Sequence, residues 1–191
     1  MSTAEERASR FLTSVTYLRV LLVPLVMALV LEGDHVAHAY AEAGVLFALG
    51  ALTDFFDGFL ARRWAQTSTL GTFLDTTADK LLVSGVLVAL VAVGRASPWL
   101  AFVIVGRELL ILGLRGAVAA DGTVVQPSAW GKLKANTQFL AIFLAIVRTS
   151  GTVGPWHPDE YAMLFAALLT VLSAIDYVAR FSRVFSTQRR P

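Results

Sequence analysis

The sequence contains no cysteine, and this absence excludes disulfide bonds, thiolate metal ligands and a cysteine nucleophile. It is also poor in charge, since 16% of its 191 residues are charged, against about 25% in an average soluble domain. Histidine occurs at His35, His38 and His157. All three histidines fall in predicted loops and share no helical spacing with a carboxylate, so we interpret them as solvated loop residues.

Apolar residues make up 56% of the chain and occur in runs near the length of a bilayer crossing, about 20 residues each. We therefore predict an all-α, polytopic membrane protein with six transmembrane helices in one bundle. The predicted spans cover residues 13–32, 40–62, 73–94, 98–119, 131–149 and 160–181. Residues 1–191 would form a single membrane domain, with a cytoplasmic or interfacial segment at 1–12 and a basic cytoplasmic tail at 182–191.

Positive charge is unevenly distributed between the two ends of these spans. One end carries ten cations, whereas the other carries only Arg95 and Arg148. The ten are Arg7, Arg10, Arg62, Arg63, Lys132, Lys134, Arg180, Arg183, Arg189 and Arg190. Because flanks rich in Lys and Arg stay in the cytoplasm, we expect both termini to be cytoplasmic in a multi-pass protein of the inner (plasma) membrane. The basic tail would bind anionic lipid headgroups rather than nucleic acid.

Four aspartates lie where the second and third predicted spans meet, at their cytoplasmic ends: Asp54, Asp57, Asp75 and Asp79. Charge in or beside a membrane span is costly, so such a cluster indicates a functional site. Spacings of three and four residues place each pair on one face of its helix. Clustered oxygen ligands suit Mg²⁺, Mn²⁺ or Ca²⁺. The alternative, helix capping in headgroup water, suits one aspartate better than four.

Small residues accompany the aspartates. Gly58 and Ala61 share the face of the first aspartate pair, so a bulky group can approach the helix backbone there. Gly71 lies one turn before the second pair, and Arg62 adds a cation with planar donors for phosphate. The combination of carboxylates, an arginine and a cleared helix surface indicates a site for a metal-bound diphosphate.

The aspartate segment reads Asp-x-x-Asp-Gly-x-x-Ala-Arg, then eight residues, then Gly-x-x-x-Asp-x-x-x-Asp, and it resembles the signature of the CDP-alcohol phosphatidyltransferase family. The resemblance implies that Asp54, Asp57 and Asp75 bind one or two Mg²⁺ or Mn²⁺ ions that hold the diphosphate of a CDP-linked lipid. It implies that Asp79 is both a metal ligand and the catalytic base. A homodimer is implied as well. The positions assigned to CDP-lipid binding are Thr16, Asp54, Gly58, Ala61, Arg62, Gly71 and Asp75.

Cations in the fourth span and at the start of the fifth predict a second, anionic substrate. Arg107 and Arg115 lie about two helical turns apart, and Glu108 can neutralise only one of them. Lys132 and Lys134 begin the fifth span. Alternatively, Arg115 extends to the membrane interface and the two lysines only set the orientation. We expect these four cations to hold the phosphate of a phosphorylated alcohol.

The sequences around these cations are similar to those of the bacterial phosphatidylglycerophosphate synthases, a subgroup of the same family. Thr53 to Trp64 also resembles this subgroup, whereas Arg10 to Thr13 stands where the subgroup has an Asn-x-Pro element. The resemblance implies transfer of a phosphatidyl group from CDP-diacylglycerol to sn-glycerol 3-phosphate, with phosphatidylglycerophosphate and CMP as products. Membrane lipids would be further partners of the chain.

Several alternatives stay open at this point. The acceptor could be inositol phosphate, or phosphatidylglycerol as in the cardiolipin synthases of the family. A divalent-cation transporter is a more distant alternative, because it would need acidic residues deep in the spans on both halves of its pathway, and the second half offers only Glu32 and Glu42 near the far face. In the last span, Asp176 and Tyr177 could line the substrate cavity or an oligomer contact.

Overall fold

The computed structural model describes the backbone of residues 3–64, 69–120 and 129–188, and the side chains of residues 14–53, 76–117, 119, 131 and 133–181. Six α-helices account for nearly all of this part of the chain. They are α1 (Thr3–Leu31), α2 (Ala39–Trp64), α3 (Thr69–Ala92), α4 (Pro98–Ala120), α5 (Ala129–Val147) and α6 (Pro158–Gln188). Within these residues, the prediction of an all-α fold with six helices is confirmed.

The helices differ from the predicted spans mainly at the two ends of the chain. α1 begins at Thr3, inside the predicted 1–12 segment, and α6 continues to Gln188, inside the predicted tail. Neither extension contains glycine or proline, so nothing in the sequence stops the helix at the end of the apolar run. A helix can therefore extend well beyond its apolar part.

Two stretches within the described residues are long and apolar enough to cross a membrane, Ser14–Leu31 in α1 and Pro158–Phe181 in α6. Many large apolar side chains are exposed, including Leu21 at 70%, Trp99 at 78% and Phe102 at 71%. Water-soluble monomers rarely expose apolar surface on this scale, whereas lipid-facing helices do. Both observations fit a membrane protein, while six crossings and their orientation stay predictions.

The chain divides into two compact units, Met1–Arg95 and Ala96–Pro191. In the first unit, α1 packs against α2 and α3, and α2 touches α3. Glycine is required where α3 approaches α1, because a Cβ at Gly85 would lie 2.8 Å from Val23 Cγ1 and 2.9 Å from Met27 Sδ. This close approach brings the α3 backbone, which also carries Asp79, against α1.

In the second unit, α6 packs against both α4 and α5. An ion pair closes the connection between α5 and α6, where Arg148 Nη2 lies 2.7 Å from Asp159 Oδ2. The backbone N–H of His157 donates to Glu160 Oε2 at 2.8 Å and so caps the start of α6. His157 lies in a loop as predicted, and its backbone has a structural role there.

Candidate functional site

The backbone of the aspartate segment is helical on both sides of its connection. Asp54 and Asp57 lie in α2, and Asp75 and Asp79 lie in α3, so each pair has the helical spacing that the sequence predicts. The first three of these aspartates have side chains outside the described residues. The same holds for four other predicted donor-site positions, Gly58, Ala61, Arg62 and Gly71.

Asp79 is the predicted metal ligand whose side chain the structure describes. Its Oδ2 forms an ion pair with Lys80, and its side chain is 16% exposed. Its Oδ1 is buried and has no hydrogen-bond partner among the described residues. A buried carboxylate oxygen normally has a partner, so this atom is available to bind a metal ion or to accept a substrate proton. The geometry therefore fits both roles that the sequence suggests for Asp79.

No group of three or more histidine, aspartate or glutamate side chains close enough to hold a metal ion occurs among the described side chains. Three of the four predicted ligands fall outside that set, so the grouping of the four aspartates stays a prediction. On α1, the predicted lipid-binding residue Thr16 is buried, and Arg19, one turn later, is fully buried. α1 thus contributes polar side chains to the interior of the first unit.

The predicted acceptor-binding cations lie in the second unit, where three helices contribute to one buried polar cluster. The cluster, called here the cation cluster, consists of Arg107, Glu108, Lys134 and Ser173. Glu108 forms an ion pair with Lys134, and its Oε1 lies 3.4 Å from Arg107 Nη1. Arg107 Nη2 donates a hydrogen bond of 2.7 Å to Ser173 Oγ. The cluster thereby links α4, α5 and α6.

The cation cluster contains two positive charges and one negative charge. The side chains of Arg107 and Lys134 are 12% and 4% exposed, so both cations lie largely out of water. Arg107 also has a buried Nε that lacks a hydrogen-bond partner among the described residues. Buried cations are costly, and a phosphate group would stabilise them further through charge-assisted hydrogen bonds. The arrangement is suited to an anionic ligand.

The other two predicted phosphate-binding cations have different positions. Arg115 is exposed and lies over the ring of Tyr177, with its Cζ 5.5 Å from the ring centroid. This contact places Arg115 at the α4–α6 contact, whereas the side chain of Lys132 lies outside the described residues. The structure therefore groups Arg107 with Lys134 and leaves Lys132 untested.

The sequence assigns no role to Ser173 or Gln138 of this unit and leaves two alternatives for Tyr177. Ser173 holds Arg107, as described above. Gln138 lies one turn after Lys134, is 2% exposed, and has a buried Oε1 without a hydrogen-bond partner among the described residues. Tyr177 is 4% exposed. A signal for Gln138 was its helical spacing from Lys134, whereas a serine inside an apolar helix carries no comparable signal.

Known proteins resemble this chain over most of its length. The family model of CDP-alcohol phosphatidyltransferase matches residues 13–175. A probable phosphatidylglycerophosphate synthase of Mycobacterium tuberculosis (strain H37Rv) is 38% identical over 180 residues, which is 93% of this chain and 84% of the relative. A CDP-diacylglycerol–glycerol-3-phosphate 3-phosphatidyltransferase of Bacillus subtilis (strain 168) is 32% identical over 177 residues, which is 87% of this chain and 92% of the relative.

A protein of Pectobacterium atrosepticum with the same name as the Bacillus relative is 36% identical over 179 residues, which is 87% of this chain and 91% of the relative. The matched region includes the whole aspartate segment and the cation cluster. Both the family match and the extent of these similarities lead to one assignment: the chain belongs to the CDP-alcohol phosphatidyltransferase family.

Proposed function

We propose that this protein transfers a phosphatidyl group from CDP-diacylglycerol to sn-glycerol 3-phosphate, with phosphatidylglycerophosphate and CMP as products. The names of its relatives support this reaction. The observation that carries a phosphate-bearing acceptor is the cation cluster, because its two buried cations suit a phosphate group, and the relatives' names favour glycerol 3-phosphate among such acceptors. A neutral alcohol would offer these cations no negative charge.

The donor site would be formed by the aspartates of α2 and α3. One or two Mg²⁺ or Mn²⁺ ions, held by Asp54, Asp57, Asp75 and Asp79, would neutralise the diphosphate and stabilise charge on the transferring phosphorus. The free Oδ1 of Asp79 supports its part in this set. The remaining donor contacts would come from the predicted lipid-binding positions Thr16, Gly58, Ala61, Arg62 and Gly71.

The acceptor site would use Arg107 and Lys134, joined by Arg115 and Lys132, to hold the phosphate of glycerol 3-phosphate. Glu108 and Ser173 would fix the guanidinium and ammonium groups before the substrate binds. A rigid set of donors lowers the entropy lost on binding and orients the free hydroxyl of the substrate. Most of the contribution of the cation cluster to catalysis would therefore be positioning.

In the transfer step, Asp79 would take the proton of the acceptor hydroxyl. The hydroxyl oxygen would bond to the β-phosphorus of CDP-diacylglycerol while the bond from that phosphorus to the bridging oxygen breaks. CMP would leave with the electrons of the broken bond, and the phosphatidyl group would end on the acceptor. The unpaired Oδ1 of Asp79 supports its role as the base, since that oxygen is available for a proton.

The six helices would each cross the inner (plasma) membrane, with both termini and the active site on the cytoplasmic side. The apolar stretches of α1 and α6 and the exposed apolar side chains support this placement. The two cations predicted on the side opposite the cytoplasm have local partners. Arg95 Cζ lies 3.3 Å from the centroid of the Tyr40 ring, and Arg148 forms an ion pair with Asp159. A homodimer, as the family resemblance implies, is part of the proposal.

The experiment offers labelled CDP-diacylglycerol to the purified protein with one acceptor at a time and identifies the lipid product. We expect phosphatidylglycerophosphate with glycerol 3-phosphate. A product formed only with inositol phosphate or only with phosphatidylglycerol would overturn the proposed acceptor. Passage of divalent cations across vesicles without CMP release would indicate the transporter alternative instead.

A further inference from the structure

Tyr177 on α6 is a buried phenol whose hydroxyl has no hydrogen-bond partner among the described residues. It lies four residues after Ser173, which contacts Arg107, so the two side chains share one face of the helix. Arg115 covers its ring. The tyrosine therefore belongs to the same face of α6 as the serine of the cation cluster.

A buried tyrosine hydroxyl normally finds a hydrogen-bond partner, because leaving it without one is costly. Phenylalanine would fill the same space without that cost. The groups close enough to interact electrostatically with Arg107 include both Arg115 and Tyr177. Two cations, Arg107 and Arg115, thus lie near the phenol, and such groups donate hydrogen bonds and attract anions. The partner that the hydroxyl lacks is therefore expected to be an anionic oxygen.

We propose that Tyr177 is a further acceptor-binding residue, whose hydroxyl donates a hydrogen bond to a phosphate oxygen of glycerol 3-phosphate. The inference rests on the proposed function. The neighbouring Asp176 is not suited to this role, because its carboxylate would repel phosphate and its Oδ1 accepts a hydrogen bond from Arg180 at 3.0 Å. Of the two open interpretations of Tyr177, burial favours the substrate cavity over an oligomer contact.

The first test is Tyr177→Phe, which removes the hydroxyl and keeps the ring under Arg115. We expect the KM for glycerol 3-phosphate to rise about 10- to 100-fold, the effect of losing a hydrogen bond to a charged group. The KM for CDP-diacylglycerol should stay unchanged. The thermal midpoint should not fall, because the lost hydroxyl has no partner within the described residues. An unchanged KM for glycerol 3-phosphate would overturn the proposal.

Tyr161→Phe is the matched control on the same helix. The Tyr161 hydroxyl donates to the carbonyl oxygen of Val153 at 2.9 Å, so this variant should lose stability. Its KM for glycerol 3-phosphate should equal that of the unchanged protein. Both variants remove one tyrosine hydroxyl, but Tyr177→Phe should change KM and not stability, whereas Tyr161→Phe should change stability and not KM. Equal effects on KM in both variants would contradict a specific contact at Tyr177.

A second substrate shows which acceptor atom the hydroxyl contacts. 3-Hydroxypropyl phosphate keeps the phosphate and the reacting hydroxyl but lacks the middle hydroxyl of glycerol 3-phosphate. With a contact to phosphate, Tyr177→Phe should raise the KM for both acceptors by the same factor. A loss seen with glycerol 3-phosphate alone would assign the contact to the middle hydroxyl and overturn the proposal.

The two proposals fail in different ways. If the unchanged protein makes no phosphatidylglycerophosphate from glycerol 3-phosphate, the proposed function fails, and the inference about Tyr177 fails with it. If the unchanged protein makes this product and Tyr177→Phe has the same KM, only the inference about Tyr177 fails.

Discussion

Glu108 on α4 and Lys134 on α5 form an ion pair in which both side chains are almost completely buried, at 2% and 4% exposure. The Oε1 of the same carboxylate lies 3.4 Å from Arg107 Nη1, so one carboxylate pairs with two cations. Arg107 and Glu108 lie on α4, and Lys134 lies on α5. The three charges can therefore meet only when these two helices are correctly packed. The pair therefore connects the stability of the second unit with the charge of the proposed phosphate site.

Glu108→Gln should destabilise the protein by about 3–5 kcal/mol, because it leaves two buried cations without their anion. Unfolding by a denaturing detergent titration measures this loss. Saturating glycerol 3-phosphate should restore part of the stability, since its phosphate supplies the missing negative charge. Asp159→Asn is the control, because it breaks the Arg148 pair at the α5–α6 connection. That variant should also lose stability, and an equal recovery with glycerol 3-phosphate in both variants would contradict the assignment of the site.

Ser173→Ala should raise the KM for glycerol 3-phosphate about tenfold, because Arg107 loses the hydrogen bond that fixes its guanidinium group. The kcat should change much less, since the serine acts only through Arg107. Thr170→Ala is the control on the same helix, because the Thr170 hydroxyl donates to the carbonyl oxygen of Ala166 within α6. Steady-state kinetics of both variants measure these effects. An equal rise of KM in the two variants would contradict a positioning role for Ser173.

Gly94→Ala should destabilise the protein by about 1 kcal/mol. Gly94 lies two residues after the end of α3 and has a φ of +70°, a backbone conformation that residues with a Cβ adopt only at a cost. Neither Gly94 nor Gly116 has a neighbouring atom within 4 Å of an added Cβ, so sterics do not separate them. Gly116→Ala, inside α4, should raise stability slightly because alanine favours the helix. Thermal unfolding measures both effects. A shift of the thermal midpoint in the same direction for both variants would contradict this explanation.

Asp79→Asn should abolish turnover while much of the CDP-diacylglycerol binding remains. The amide cannot take the proton of the acceptor hydroxyl, whereas the other three predicted ligands would still hold a metal ion. Product formation and equilibrium binding of CDP-diacylglycerol measure the two effects separately. Retained turnover in this variant would remove Asp79 from the role of the base.

Removal of divalent ions with EDTA should stop the reaction, because the diphosphate of CDP-diacylglycerol would then lack its counter-charge. Addition of Mg²⁺ or Mn²⁺ in excess over the chelator should restore product formation. Equilibrium binding of Mn²⁺ gives a readout that does not depend on activity. Full activity in the presence of EDTA would contradict a metal-dependent donor site.

The sequence was sufficient to predict the six helices, because each apolar run has the length of a membrane crossing and ends at breakers. It was not sufficient to predict that α1 begins at Thr3 or that α6 ends at Gln188, since hydrophobicity reports the apolar part of a helix and not its polar extensions. Arg107 could be predicted as a site residue because charge inside an apolar run is costly, whereas Lys134 begins its span and could also have served only to set the orientation.

Their partners could not be recognised in the same way. Ser173 and Tyr177 are compatible with any apolar helix, and their significance depends on which side chains of α4 they meet after folding. The sharing of Glu108 between two cations depends equally on tertiary contacts, because Lys134 is distant from Glu108 in the sequence. The sequence thus indicates charged groups, and packing determines which groups act together.

The most direct test of the central claim measures the ratio of CMP to phosphatidylglycerophosphate formed by the purified protein with CDP-diacylglycerol, Mg²⁺ and glycerol 3-phosphate. We expect one CMP for each phosphatidylglycerophosphate, and no CMP release when glycerol 3-phosphate is left out. CMP release that does not depend on glycerol 3-phosphate, or that yields a different lipid, would contradict transfer to this acceptor.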